Sequence, residues 1–495
     1  MSAASSQHDP GLMGRAIRAV GWGYGGTVAR MALQIGAQAV LARLLGPQEF
    51  GVFAALMLLA AVAVIAGDWV SAPVIQVKAL DEATLAFALG CQVVGSLIMS
   101  LVVMASLPVY QYLFPGAKGL GLAVTLMSLG CLVTGLGGLS LSLLRRQLRY
   151  RDIQLAQVAG YFVGYGLVAI PLAWWGPRSF MVLVLAWGAQ ALVTAMLLYR
   201  AASHTVRPSF DARPHSAFLR FGLQITAGNL GNWFAGSCDR ILVARVAAAG
   251  DIGLYNTMLN LIMTPVTQIA ATLNTVAFSV SAQAASEARR RGAVAYISLT
   301  ALTSAWLYAL IATFPESIVA MIYGAGWEKG AELVPAFCGV AVGFSVGAAA
   351  SSILTSGGKG SAVALVQLLA GLSVFLAVFI GLKFSLLAAA QALSLVYVVR
   401  ALVLVFVAMR AVGASAPRVV AVLLVPMIMA SFQVMLSRSA AIALDWRSPL
   451  AHILLAVFVS SIALLAMAYF RNLFLVPEVR WLISSLKSRR TAGVI

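Results

Sequence analysis

The chain reads as an all-α polytopic membrane protein: two six-helix lobes in parallel pseudo-repeat plus two extra helices, about fourteen transmembrane helices in all. Three observations predict this. Hydrophobic residues make up 61% of the 495 and charged residues only 10%, with a mean hydropathy of +0.95, whereas soluble domains carry about 25% charged residues. The apolar residues fall in repeated runs of roughly 20, each long enough to cross a bilayer as a helix. Finally, residues 42–53 and 244–255 align without a gap: Ala42 with Ala244, Arg43 with Arg245, Glu49 with Asp251, Gly51 with Gly253 and Phe53 with Tyr255.

Cutting at glycines, prolines and charge clusters gives spans at 19–45, 50–75, 84–110, 119–144, 153–175, 179–199, 217–246, 252–283, 292–314, 331–355, 361–381, 384–410, 417–437 and 449–470. The twin stretches follow the first and seventh spans, so the offset is six helices. An even offset preserves orientation, which means a repeat about an axis along the membrane normal. The expected organisation is a tail at 1–18, an N-lobe at 19–199, a basic linker at 200–216, a C-lobe at 217–410, helices 13 and 14 at 411–470 and a basic amphipathic tail at 471–495.

Most of the 33 Lys and Arg fall in segments on one side, among them Arg145, Arg146, Arg149, Arg200, Arg207, Arg290 and Arg291. The positive-inside rule puts that side, with both termini, in the cytoplasm. Residues 2–18 lack the plan of a signal peptide and are expected to form a cytoplasmic tail. In the other tail, Val479, Leu482, Ile483 and Leu486 share a helical face flanked by basic residues, which suits an anionic membrane surface.

A net charge of +18 would suggest nucleic acid in a soluble chain; spread over membrane-flanking loops it reports orientation, and no nucleic-acid partner is expected. Cys91, Cys131, Cys238 and Cys338 are scattered through apolar runs without metal-like spacing. Gly357-Gly358-Lys359-Gly360 has Gly where a phosphate loop needs Ser or Thr. No Asp-x-Asp pair is present, and His8, His204, His215 and His452 are dispersed. An enzyme, a resident cofactor and a metal site are therefore not expected. A transporter of this kind would draw on a substrate gradient, a proton or sodium gradient, or the membrane potential.

Polar residues inside spans are costly and face a bundle interior or a water-filled cavity. Helix 1 carries Thr27, Arg30, Gln34 and Gln38 on one stripe. At the repeat offset, helix 7 has Asn229, Asn232, Gly236 and Arg240, with Asp239 beside the last, and helix 8 adds Asn256, Asn260, Thr264, Thr267 and Asn274. The candidate substrate-binding residues are accordingly Arg30, Gln34, Gln38, Asn229, Asn232, Asp239, Arg240, Asn256 and Asn260. The plainer alternative for the amides is hydrogen bonding between helices, and for Arg30 a structural pair. Arg400 inside helix 12 is open to either reading. Asp68, near a helix end, suits a helix–loop hydrogen bond as well as an ionic role.

Four segments carry a family likeness. Residues 42–53 resemble an A-R-x-L-G-P-x-E-F-G-x-Y element, with Phe53 for Tyr. Residues 67–76 (GDWVSAPVIQ), 144–152 (LRRQLRYRD) and 323–331 (YGAGWEKGA) follow in order, and 239–243 with 254–256 fit as well. Together they resemble the Wzx-type, colanic-acid-exporter-like branch of the multidrug/oligosaccharidyl-lipid/polysaccharide flippase superfamily. The likeness runs from about residue 15 to 400, and departs where Ser279 follows Phe278 in place of a proline. It implies a MATE-like two-lobed fold and a flippase that moves an undecaprenyl-diphosphate-linked oligosaccharide across the bacterial inner membrane, with membrane lipids, a polymerase and a co-polymerase as partners. In that reading Arg30 and Arg240 hold the diphosphate. An ion-coupled multidrug exporter of the same superfamily and a non-transporting scaffold of a polysaccharide-assembly complex remain as alternatives.

Overall fold

The computed structural model describes residues 10–77, 80–204, 207–211, 216–281, 286–445, 448–469 and 477–479. The basic tail expected at 471–495 lies outside them apart from 477–479, as do residues 1–9 and the Asn274 side chain. Every regular element among the described residues is a helix.

The chain opens with α1 (Pro10–Gly67), which is two arms joined at Gly46, where φ is 77° and ψ 173°. A left-handed φ costs an L-residue about 1–2 kcal/mol, so glycine is required here. Pro47 then restarts the helix at a position where a missing N–H does no harm. The two arms correspond to the spans expected at 19–45 and 50–75, except that the second ends at Gly67 and the helix breaks at 68–70 before α2.

After α2 (Ser71–Gln76) come α3 (Glu82–Ala105), α4 (Leu107–Leu113) and α5 (Leu120–Arg146). Next is α6 (Tyr150–Tyr161), which runs through a π-helix at Phe162–Ala169 into α7 (Ile170–Trp175). Pro171 cannot donate to the carbonyl four residues earlier, and the hydrogen-bond register is looser just ahead of it. The first half closes with α8 (Met181–Ala202).

The second half repeats the order. It contains α9 (Ser216–Val246), α10 (Ala249–Ser281), α11 (Ser286–Thr313) followed by the short α12 (Pro315–Ile322), α13 (Glu328–Ala331) leading into α14 (Val334–Ser356), α15 (Gly360–Gly381) and α16 (Leu386–Ala411). The short helices α4 and α12 each follow a long third helix and each carry proline at the first or second helical position. Two helices follow, α17 (Ala416–Ala443) and α18 (Pro449–Tyr469).

By length and composition ten helices among the described residues can cross a membrane, the first of them spanning both arms of α1. Large apolar side chains lie exposed along them, as Leu365, Leu368, Leu372, Phe375 and Leu376 do on α15. Such faces are stable against lipid tails and not against water.

Two compact units result: Met1–Phe234 with Ala247–Gly253, and Ala235–Val246 with Leu254–Ile495. The inclusion of Ala247–Gly253 in the first has a clear cause. A Cβ at Gly51 would overlap the Ala249 carbonyl, and a Cβ at Gly253 would overlap the Pro47 carbonyl. The twin stretches thus press backbone against backbone at their matching glycines, a reciprocal contact in which each copy uses the same residue. Small residues allow such close approach, which strengthens dispersion contact between helices in lipid. Around the break in α1, Leu41 and Leu45 pack with Ala169, Ala173, Leu183 and Ala186 of the first unit. In the second unit Ile297, Val346, Ala350, Leu404, Val405 and Val422 form the core.

Candidate functional site

In the first unit the polar stripe of α1 is engaged by α6. The Arg30 guanidinium donates from Nη1 to Gln157 Oε1 at 2.7 Å, and two turns earlier the Arg151 guanidinium lies 5.4 Å from the centre of the Trp22 ring. A single acceptor leaves most of the fork of N–H donors on Arg30 for other groups. Gln34 is exposed and Gln38 half-buried; Asn229 and Asn232, on the first part of α9, are exposed. In a helix otherwise suited to lipid, exposed amides need a wet or polar surrounding.

The second unit gathers the remaining candidates. Asp239 is 3% exposed, and the Tyr255 hydroxyl donates to its Oδ2 at 3.0 Å. The Tyr255 ring packs edge-on against Phe337 at 5.0 Å, which fixes that hydroxyl. Arg240, one residue on, donates from Nη2 to Asn260 Oδ1 at 3.2 Å, and its Nε is buried without a hydrogen-bond partner. On α16 the Arg400 guanidinium stands 5.7 Å from the centre of the Tyr397 ring, and its Nε too is buried without a partner. Tyr397 lies within electrostatic reach of Asp239, Arg240 and Arg400. Asn256 is buried and Asn260 exposed.

So α9 and α10 bring Asp239, Arg240, Asn260 and Tyr255 together, and Tyr397 of α16, the ring beside Arg400, lies within electrostatic reach of that group. The sequence reading named the first three and left Arg400 open. It missed both tyrosines and Gln157. Tyr255 was within view as the aromatic of a twin stretch; Tyr397 sits one turn before Arg400, a spacing that signals a cation–ring pair.

The segments that carry the family likeness do different work. The Glu49 carboxylate accepts from the Phe180 N–H at 2.6 Å and so caps the start of α8, where donors are unsatisfied and the helix dipole favours an anion. Asp68 Oδ1 accepts from the Ser71 N–H at 3.2 Å, and its carbonyl takes the Thr226 hydroxyl at 2.7 Å. This is the helix–loop role. Arg146 donates to the carbonyls of Val74 at 2.8 Å and Val77 at 2.6 Å, and Arg149 to that of Ala201 at 2.8 Å. These bonds close the exposed C-terminal carbonyls of α2 and α8. Trp327 is fully buried beside Tyr323, with ring centres 5.3 Å apart. All of these are joints of the scaffold.

Among the described residues no cluster of His, Cys, Asp or Glu could hold a metal ion. Comparison with known proteins bears on the fold and the family. The solved structure of lipid II flippase MurJ in an inward closed conformation superposes with a TM-score of 0.70 at 15% identity, covering 90% of this chain and 98% of that one. An outward-facing multidrug resistance MATE family transporter of the MOP superfamily superposes at 0.57 and 16% identity, covering 80% and 96%. The lipopolysaccharide biosynthesis protein WzxC of Escherichia coli (strain K12) is 22% identical over 349 residues, which is 69% of this chain and 70% of that protein. The fold is thus that of the MurJ and MATE transporters. The model of the family described as polysaccharide biosynthesis protein matches residues 40–332, more than half the chain, and the chain belongs to that family.

Proposed function

We propose that the protein is a flippase that carries an undecaprenyl-diphosphate-linked oligosaccharide across the bacterial inner membrane for assembly into a surface polysaccharide. The observation that carries the reading is the pair of buried, unpartnered Nε–H donors of Arg240 and Arg400. An arginine at membrane depth costs about 2.5–3.5 kcal/mol, and a buried donor without an acceptor adds roughly 1–3 kcal/mol. A diphosphate supplies acceptors for donors of this kind and forms charge-assisted pairs with guanidinium groups. Asn256 and Asn260 in the second unit, and Arg30, Gln34, Gln38, Asn229 and Asn232 in the first, are each of the donor and acceptor type that sugar hydroxyls require. Support comes also from the family's polysaccharide role and from a fold shared with a lipid II flippase.

In this reading the termini are cytoplasmic, the lipid tail stays in the bilayer and no ATP is used. The cycle draws on the membrane potential or on a proton or sodium gradient. A polymerase and a co-polymerase receive the product on the far side.

The test is flipping of a fluorescent undecaprenyl-diphosphate oligosaccharide in proteoliposomes. Arg240→Gln and Arg400→Gln should each slow it by about 10–100-fold, the worth of one charge-assisted hydrogen bond. Wild-type rates in both variants would overturn the assignment.

A further inference from the structure

A cavity of about 610 Å³ lies within the second unit, walled by α11, α14, α16 and α17. Its size falls in the ligand-pocket range of about 300–1,000 Å³. The walls are almost wholly apolar and kept open by small side chains. Ala301, Ala305, Ala309 and Ala312 lie along one face of α11, and Gly339 and Gly343 of α14 also line the cavity where that helix presses against Ser394 and Tyr397 of α16. Along α17 the lining runs from Pro426 at one end to Arg438 at the other.

Twelve residues separate Pro426 from Arg438, about 18 Å of helix at 1.5 Å per residue. That is close to the depth of one leaflet of a hydrocarbon core roughly 30 Å thick. Arg438 is exposed. It donates from Nε to the Thr313 carbonyl at 3.0 Å and from Nη2 to the Ala312 carbonyl at 3.4 Å, which anchors the guanidinium at the end of α11. Among the described residues it has no carboxylate partner. The cavity is therefore a leaflet-deep apolar slot with a fixed, uncompensated cation at one end.

We propose that this slot is a binding site for a bilayer phospholipid with an anionic headgroup, whose acyl chain fills the slot and whose phosphate pairs with Arg438. The chemistry matches at both ends. An acyl chain needs a dry channel with close dispersion contacts, and a phosphate needs a donor pinned at headgroup depth. A zwitterionic lipid fits the slot equally well but gains less from Arg438, since its own ammonium offsets the phosphate. The slot is lined by the second unit alone and does not depend on the flippase reading.

The experiment is native mass spectrometry of the full chain, reconstituted in nanodiscs of equal phosphatidylglycerol and phosphatidylcholine without polyprenyl lipid, then released into mild detergent. The wild type should retain one phosphatidylglycerol. Ala430→Trp, which fills the slot, should release it. Arg438→Gln should lower the preference for phosphatidylglycerol by about fivefold, the worth of one cation at a membrane surface, and Arg438→Lys should restore it. If Ala430→Trp does not fold, as read by size exclusion, the Gln and Lys variants decide alone. Retention of no lipid by the wild type, an unchanged preference in Arg438→Gln, or full retention in a folded Ala430→Trp would each overturn the proposal. So would displacement of the phospholipid by an added polyprenyl phosphate at equal concentration, which would make the slot a site for the carrier tail.

Discussion

Glu49 and Glu287 differ in how much of a charge's role is visible from its neighbours in sequence: the first acts on a distant helix, the second on arginines three and four residues on. Glu49 lies in a segment that carries the family likeness, yet its carboxylate caps a helix start at Phe180, 131 residues away. Its removal is expected to cost about 1–2 kcal/mol, as loss of a helix cap does, lowering the melting temperature in detergent while Glu49→Gln recovers part of it. Glu287, in the first turn of α11, is held by Arg290 at 2.7 Å and Arg291 at 2.9 Å. These hydrogen bonds lower its carboxyl from 4.5 to about 2. A depressed carboxyl stabilises above its unfolded value and loses that contribution as pH falls from about 4.5 to about 2. Hydrogen exchange at 286–291, corrected for intrinsic rates, should therefore be flat from pH 7 to 5 and quicken below; Glu287→Gln should abolish that dependence. The pair is exposed, so the effect stays local and weakens in salt.

At the scale of elements, the twin stretches form a joint as well as marking the repeat. Gly51 and Gly253 are where the N-terminal ends of two helices, the second arm of α1 and α10, touch without side chains between them. Gly51→Ala and Gly253→Ala should each force the backbones apart and lower thermal stability by about 1–3 kcal/mol, the usual cost of overpacking. Gly250→Ala, one turn away with open space around its α-carbon, should be nearly neutral. Equal melting temperatures for all three variants would remove the close contact from the account. The break at Gly46 and the start at Pro47 were legible beforehand, because φ and donor chemistry are local properties. The crossing was not: nothing in the sequence distinguishes a glycine in open space from one pressed on a carbonyl.

For the whole molecule, the proposed substrate carries its negative charge toward the outside, and an inside-negative potential favours that by about 2.3 kcal/mol per charge per 100 mV. In proteoliposomes with a potassium-diffusion potential, flipping should accelerate as the compartment facing the basic loops becomes more negative. A rate independent of both the sign and size of the potential would show that the potential does not drive the cycle, and would leave a proton or sodium gradient as the source. Orientation enters this prediction through the basic loops, which is also why the arrangement of charge had to be read over the whole chain.

The sequence by itself determined the solvent of this protein, its helical class, the punctuation of its helices and the six-helix repeat. Each is written in hydropathy, in glycine and proline positions, or in an internal match, and none needs a distant partner to be read. Among the polar residues the sequence could state only that they are costly where they stand. Tertiary structure decided what offsets that cost. Gln157, 127 residues away, accepts from Arg30; Tyr255 reaches Asp239 across from α10; and Tyr397 of α16 comes within electrostatic reach of Asp239 and Arg240. A hydrogen bond across a bundle depends on which faces meet, and helix faces meet by the shapes of small and large side chains summed over many turns. That sum is not legible along a single chain.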